Sequence, residues 1–387
     1  MKPSRQSSVV DGPLSLYLHI PFCRRRCTYC DFNTYAGLED LFVPYTSALA
    51  NEVRRAGRGE RVTTIFFGGG TPSILPVALV ADLLAACRDS FVVDTDAEIS
   101  LEANPGTLDE PRLAALRRLG INRLSLGVQS AQPDELVLLG RLHTFDQARR
   151  AVAMARAAGF ENLSLDLIYG LPRQALAHWR ATLESVLSPP LQPDHLSAYC
   201  LTVEEGTLLA DWVTSSQVPE PDPDLAAEMY ELAEATLNAA GFIHYEISNW
   251  ARPGRECRHN LVYWRDGAYL DFGAGAHSHR AARRWWNVLA PAEYIARLQA
   301  GASPQAAAEE IGPAQAMGEM MMLGLRLSEG VGAAAFRARF GRDLEQVYGR
   351  PLEELAAASL IQWDGQRARL TARGRLLGNQ VFARFLP

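Results

Sequence analysis

The stretch that decides the fold is Tyr17–Phe32, YLHIPFCRRRCTYCDF. A short β-rich run ends at Pro21, and Cys23, Cys27 and Cys30 follow in a C-x3-C-x2-C array. Thiolates are soft ligands that suit iron or zinc. Three of them satisfy three corners of a four-iron cube, because each iron takes one terminal ligand, and the fourth iron stays open to a ligand from solution. A structural zinc site would be closed by a fourth Cys or His, and His19 is the nearest candidate. Both readings stand on these residues alone; the spacing favours a [4Fe-4S] cluster held by Cys23, Cys27 and Cys30.

Composition narrows the classes outside this stretch. The chain has 387 residues, 48% of them hydrophobic, enough for a large core. Its net charge of -6 argues against bulk binding to nucleic acid. Arg24, Arg25 and Arg26 form a local basic run inside the cysteine loop, read either as a solvated face or as a contact for an anionic partner. Lys2 is the only lysine. A Schiff-base enzyme would lack its nucleophile, and a P-loop would lack its phosphate-binding lysine. Of the six cysteines, Cys87, Cys200 and Cys257 are scattered, which is not a disulfide framework. Reduced thiols point to the cytoplasm. Residues 1–13 lack a signal-peptide core and no apolar run reaches membrane-spanning length, so a soluble protein is expected, with contact at the inner membrane face left open.

Strand and helix patterns alternate along the first half. Strands are predicted at Ser15–Pro21, Thr63–Gly69, Glu98–Asn104, Arg123–Gln129, Asn162–Gly170 and His195–Val203, with helical periods between them at Val77–Cys87, Pro111–Leu119 and Phe145–Ala158. Gly120 and Gly159 stand where helix C-caps belong. Such alternation implies parallel strands with right-handed crossovers. The expected architecture is α/β: a partial (β/α)6 barrel with a small C-terminal helical, winged-helix-like domain. The expected divisions are a polar segment at 1–14, the barrel at 15–240, an extension rich in aromatics and His at 241–299, and the C-terminal domain at 300–387. In the last, a hairpin is predicted around Asp364-Gly365.

Parallel barrels gather ligands at the carboxyl ends of their strands. The second predicted strand ends in Gly68-Gly69-Gly70-Thr71, where bare backbone can approach a ligand. Glu102, Gln129 and Asp166 mark the next strand ends, and Arg141 follows in GRLHT. A carboxylate suits a ribose diol, and an arginine suits a carboxylate. Each of these residues alone would pass for a cap or an ion-pair partner.

Taken together, YLHIPFCRRRCTYCDF, FFGGGTPS, LEANP, SLGVQS, GRLHT and LDLIYGLP resemble the oxygen-independent coproporphyrinogen III oxidase family of radical SAM proteins. The resemblance spans about residues 15–387 and implies a [4Fe-4S] cluster on Cys23, Cys27 and Cys30, with S-adenosylmethionine (SAM) on the open iron. It implies SAM contacts at Tyr17, Gly69, Gly70, Thr71, Glu102, Gln129, Arg141 and Asp166, and an aromatic, Tyr29, near the adenine.

Two features separate branches of that family. Oxidases carry a further cysteine in C-x3-C-x2-C-x-C, where this chain has Phe32. His259-Asn260-Leu261-Val262-Tyr263-Trp264 resembles the H-N-x-x-Y-W motif of the heme chaperone (HemW) branch. The resemblance to that branch implies heme as cofactor and cargo, bound near His259, Asn260, Tyr263 and Trp264. It also implies acceptor hemoproteins, membrane-bound respiratory enzymes among them, and a cluster-dependent homodimer. His259 is the first candidate axial ligand and Cys257 the second; His277 and His279, in FGAGAHSHR, are further candidates whose Gly-rich setting suits a close approach to SAM at least as well. Tyr263, Trp264, Trp285 and Trp286 offer ring contacts, and Arg258, Arg265, Arg283 and Arg284 offer charge for propionates. The alternative function is a radical decarboxylation of coproporphyrinogen III. A zinc-stabilised nucleic-acid binder is a third reading, which the acidic charge opposes.

Overall fold

The computed structural model describes residues 12–387; the first eleven, most of the polar N-terminal segment, lie outside the described residues. Six strands, β1 (Leu14–Ile20), β2 (Arg61–Gly69), β3 (Val92–Ala103), β4 (Arg123–Gln129), β5 (Leu163–Tyr169) and β6 (His195–Cys200), lie side by side in chain order and all parallel. Helices α1 (Phe42–Ala56), α2 (Val77–Ser90), α3 (Glu110–Leu119), α4 (Phe145–Ala157) and α5 (Leu176–Leu187) connect them, and α6 (Pro223–Ala239) follows the last strand. This is the open (β/α)6 barrel expected from the alternation. Strand β3 begins at Val92 rather than Glu98 because its first residues, rich in Asp and largely exposed, still pair with Arg61 and Val62.

The strands are buried on both faces, but the two faces differ in chemistry. In β5, Leu163, Leu165 and Leu167 join the main hydrophobic core. The alternate positions turn inward, and the Ser164 hydroxyl donates to the Asp166 carboxylate there. With a side-chain period of two, an LSLDL pattern gives one leucine face and one polar face.

The aromatic segment after residue 241 joins the same sheet. Strands β7 (Ile243–Glu246) and β8 (Asn249–Ala251) add antiparallel beyond β6. On the other side β9 (Tyr269–Phe272) pairs parallel to β1, and β10 (His277–Arg280), β11 (Arg283–Asn287) and β12 (Gln305–Glu310) continue antiparallel. The result is a twelve-stranded sheet with β7 and β12 as its edges. The β1–β9 seam is held by Glu52 of α1, which accepts from the Gly273 amide, the Asn287 amide and the Tyr294 hydroxyl. Burial raises this carboxyl to about 7.

The remaining residues build a second core around Met321, Leu325, Phe336, Leu352 and Phe385. Helices include α8 (Pro313–Gly324) and α9 (Ala333–Phe340), and a three-stranded sheet pairs Val331–Gly332, Arg367–Leu370 and Ile361–Trp363. Gly365 turns the predicted hairpin with φ 82°. Among the described residues no helix is long and apolar enough to cross a membrane.

Candidate functional site

The carboxyl ends of β1–β6 open into a cleft of about 390 Å³, within the range of small-ligand sites. Cys23, Cys27 and Cys30 line one wall, with Tyr29, Gly69, Gly70, Thr71, Glu102, Gln129, Arg141 and Asp166 around them. The cysteine loop is pinned at several points. The Thr28 hydroxyl donates to the Leu138 carbonyl at 2.7 Å, the Leu209 amide donates to the Thr28 carbonyl at 2.8 Å, and the Asn33 amide donates to the Ala274 and Leu289 carbonyls.

The glycine run lies against this loop. The Gly70 amide donates to the Ile20 carbonyl and the Thr71 amide to the Phe22 carbonyl, both at 2.8 Å. A Cβ at Gly70 would sit 2.6 Å from the Phe22 carbonyl oxygen and 3.0 Å from Cys23 Sγ, so only glycine lets the two backbones close. Thr71 Oγ1 donates to Cys23 Sγ at 3.6 Å.

Arg141 crosses the end of β4. Its Nη1 donates to Cys27 Sγ at 3.4 Å and its Nη2 to the Gly127 carbonyl at 2.8 Å. A Cβ at Gly127 would come within 2.9 Å of both Arg141 Nη2 and Gln129 Nε2, so a larger residue there would displace the two side chains. Arg141 Nε and Gln129 Oε1 are buried without a partner. Gln129 adopts φ 68°, at the point where the β4–β5 register shifts. A non-glycine residue in that region stores roughly 1–3 kcal/mol of strain, a cost typical of ligand sites.

Two carboxylates form the cleft base. Glu102 accepts from the Gly69 amide at 3.0 Å and its pKa is raised to about 7, first by burial and then by Asp166. Asp166 accepts from the Ser125 hydroxyl at 3.0 Å, and burial raises its carboxyl despite that bond. Buried anions of this kind favour a ligand that brings hydroxyl donors or positive charge. The residues present therefore fit a cluster and SAM: three thiols, a backbone edge that a Cβ would obstruct, a cation beside one thiol, and two lining residues, Gln129 and Arg141, with polar atoms short of partners. Ser125 and Gly127 join the site although they were not predicted. Their signal was the alternation with Gln129 along β4.

The zinc reading loses its fourth donor. His19 Nε2 lies 2.9 Å from the Asn33 carbonyl and Nδ1 lies 3.3 Å from the Tyr17 hydroxyl, so both nitrogens are engaged away from the thiols. Among the described residues no three His, Cys, Asp or Glu side chains converge as a single ion requires.

Tyr17 does not face the cleft. It stacks on Phe66 and lines a smaller cavity of about 180 Å³ deeper in the barrel. That cavity shares Glu102, Ser125 and Asp166 with the cleft and is floored by His259, Asn260 and Tyr263 of α7 (Arg258–Trp264). Glu98 caps this helix by accepting from the amides of Arg258 and His259 and from Cys257 Sγ. His259 is 1% exposed, with Nδ1 2.8 Å from the Thr64 hydroxyl and Nε2 3.0 Å from the Tyr263 hydroxyl. The motif suggested an imidazole offered to iron; here both nitrogens are held inside the barrel. Trp264 leaves the cavity and packs under Arg326 of the C-terminal unit. Arg283 lies over Trp285, His277 stacks on Trp286, and Arg284 is paired with Glu309 and Glu319. These groups stabilise the sheet extension and do not converge on His259.

Residues 17–186 match the model of the Radical SAM superfamily, and residues 311–377 match that of the HemN C-terminal domain. A Mycobacterium tuberculosis protein named heme chaperone HemW is 40% identical over 95% of this chain and 94% of its own length. The Bacillus subtilis protein of the same name is 37% identical over 96% of this chain and 99% of its own. Among solved structures, coproporphyrinogen III oxidase (HemN) from Escherichia coli, described as a radical SAM enzyme, superposes with a TM-score of 0.84 at 25% identity, over 96% of this chain and 90% of that one. Likeness of this extent at both the cysteine cleft and the C-terminal unit means that the chain belongs to the HemW family of the radical SAM superfamily.

Proposed function

We propose that this protein is a heme chaperone, which binds heme as cargo and passes it to acceptor hemoproteins while holding a [4Fe-4S] cluster and SAM in its cleft. The observation that carries the choice over an oxidase is the 40% identity across 95% of the chain to a named heme chaperone, against 25% to the oxidase. A second support is Phe32. It stands where the oxidase branch has its additional cysteine, and it is 64% exposed at the cleft rim.

In this reading Cys23, Cys27 and Cys30 ligate three irons. Arg141 takes the carboxylate of SAM, Asp166 and Glu102 take its ribose hydroxyls and positive charge, and Gly69, Gly70, Thr71 and Gln129 supply polar edges. Tyr29 packs against the adenine, and Tyr17 acts from below by supporting the cleft base. When bound, the cluster and SAM together supply one-electron chemistry at an open iron. The acceptors we propose include membrane-bound respiratory enzymes, reached from the cytoplasmic side. Cluster assembly would favour a pair of chains.

One anaerobic sample tests the choice. Reconstituted protein given heme is expected to bind it and show a sharp Soret band. The same sample given coproporphyrinogen III, SAM and a reductant is expected to release no carbon dioxide. Decarboxylation without heme binding would overturn the chaperone reading in favour of the oxidase.

A further inference from the structure

The heme-carrier reading leaves open where the cargo sits, and the following rests on that reading. At the end of the barrel opposite the cysteine cleft lies a groove of about 1050 Å³. It runs past Thr63 and Thr64, near the start of β2, and between α7 and the C-terminal helices. Helix α7 divides the two spaces. His259, Asn260 and Tyr263 face the inner cavity, while Arg258, Leu261, Val262 and Arg265 face the groove. The inner cavity, at about 180 Å³, is too small for a macrocycle. The groove has both the room and the walls, with Leu261, Val262, Ile311 and Phe340 among its apolar lining.

One side chain in the groove is arranged as a metal ligand. His279 of β10 is 5% exposed, and its Nδ1 lies 3.3 Å from the Gly267 carbonyl and 3.6 Å from the Asp266 carboxylate. The Gly267 carbonyl can only accept, so Nδ1 is the donor to it, and Nε2 is the nitrogen left to a ligand. Among the described residues Nε2 has no hydrogen-bond partner, unlike either nitrogen of His259. Asp266 is itself fixed, 2.7 Å from Arg339. A carboxylate and a carbonyl holding one imidazole nitrogen is the usual support of a metal-binding histidine, because it fixes the ring and raises the basicity of the other nitrogen.

The charge at the groove suits a dianionic porphyrin. Arg258 and Arg265 stand exposed on its edge; Arg258 donates to the Asp96 carbonyl at 2.8 Å and lies 3.9 Å from its carboxylate, and Arg265 pairs with Glu329 at 3.0 Å. Exposed pairs of this kind are weak, so both guanidiniums are available to turn toward propionates. The opposing charge on the wall, Glu319, is neutralised by Arg284 at 2.7 Å.

We propose that heme lies in this groove with His279 Nε2 as its axial ligand, and that the His259 motif forms the partition behind it. The test titrates heme into the full chain carrying its cluster, with absorption and electron paramagnetic resonance as readouts. Three variants are compared with wild type: His279→Gln, Ala338→Trp and His259→Phe. Ala338 is exposed on the groove wall, so a tryptophan there fills space without disturbing a core. His279→Gln is expected to lose the imidazole-iron signature and to bind at least roughly tenfold more weakly. Ala338→Trp should weaken heme binding by a similar factor and leave cluster spectrum and SAM affinity unchanged. His259→Phe should keep the wild-type heme spectrum. A wild-type signature in His279→Gln overturns the ligand assignment, and unchanged affinity in Ala338→Trp overturns the groove. Wild-type protein that binds no heme brings down the carrier reading itself, and the site with it.

Discussion

The cleft at the carboxyl ends of the strands and the floor formed by α7 are built from the same kinds of residue, yet they are wired differently. In the cleft, Gln129 Oε1 and Arg141 Nε are buried without partners. On the floor, Thr64 bridges Ser15 and His259, Ser164 and the Tyr245 hydroxyl hold the two nitrogens of His195, and Glu98 ties down the start of α7; there the unpartnered buried atoms, Arg123 Nε and Trp264 Nε1, lie beside the histidines and not on them. Buried polar groups that satisfy one another rigidify a fold, whereas those left short of partners mark where a ligand completes the network. The difference separates histidines and cysteines that serve the architecture from those open to chemistry.

The comparison is broken most severely at the cysteines. Replacing Cys23, Cys27 or Cys30 with alanine is expected to abolish the cluster, so that iron and sulfide content after anaerobic reconstitution fall close to zero. These side chains are only partly buried, so the thermal midpoint of the apoprotein should scarcely move. A large loss of apoprotein stability would place the cysteines with the floor instead.

Glu102 gives the next largest effect. Burial, and then the neighbouring Asp166, push its carboxyl up to about 7, against an ordinary value of 4.5. As pH rises from 4.5 to 7 the unfolded chain ionises first, the folded protein holds the extra proton, and stability falls. Relative to Glu102→Gln, wild-type apoprotein should lose up to about 3 kcal/mol across that window, read from urea unfolding at each pH. Saturating SAM should flatten the slope, because its hydroxyls and positive charge favour the anion. A wild-type profile parallel to that of the variant would mean that Glu102 is not desolvated.

On the floor, His259→Phe leaves Thr64 without its imidazole partner and leaves the Tyr263 hydroxyl with Asp271 as its remaining partner. A loss of about 2 kcal/mol in unfolding free energy is expected, with heme affinity unchanged. Full stability combined with lost heme binding would turn the floor into a ligand site and reverse the comparison.

The cleft was legible in the sequence and the floor was not, for a physical reason. Cys23, Gly70, Glu102, Gln129 and Asp166 sit on or just after regular strands, where a period of two and the strand-end rule fix their positions locally. The roles of His259 and His279 depend on β9 pairing with β1 across most of the chain, which no local pattern reports. The strand Gln305–Glu310 reads QAAAEE, a run of helix-favouring residues, and becomes a strand because it pairs with β11. The inner polar face of the barrel was written in LSLDL and SLGVQ, but hydrophobic content alone masked it.

Cys257 offers the finest distinction, since it is the same residue type as the proposed cluster ligands on the other side of the comparison. It is fully buried, its thiol donates to Glu98 at 3.6 Å, and burial pushes it up to about 12. A thiol held protonated beside a carboxylate is a poor iron ligand, because the metal takes the thiolate. Serine preserves the donor to Glu98 and nearly the same volume, so Cys257→Ser should cost no more than about 1 kcal/mol and leave the heme spectrum as it is in wild type. The same exchange at Cys23 is expected to remove a ligand from the proposed cluster. A Cys257→Ser variant with an altered Soret band would show that this buried thiol reaches iron after all, and would erase the line between the two ends of the barrel.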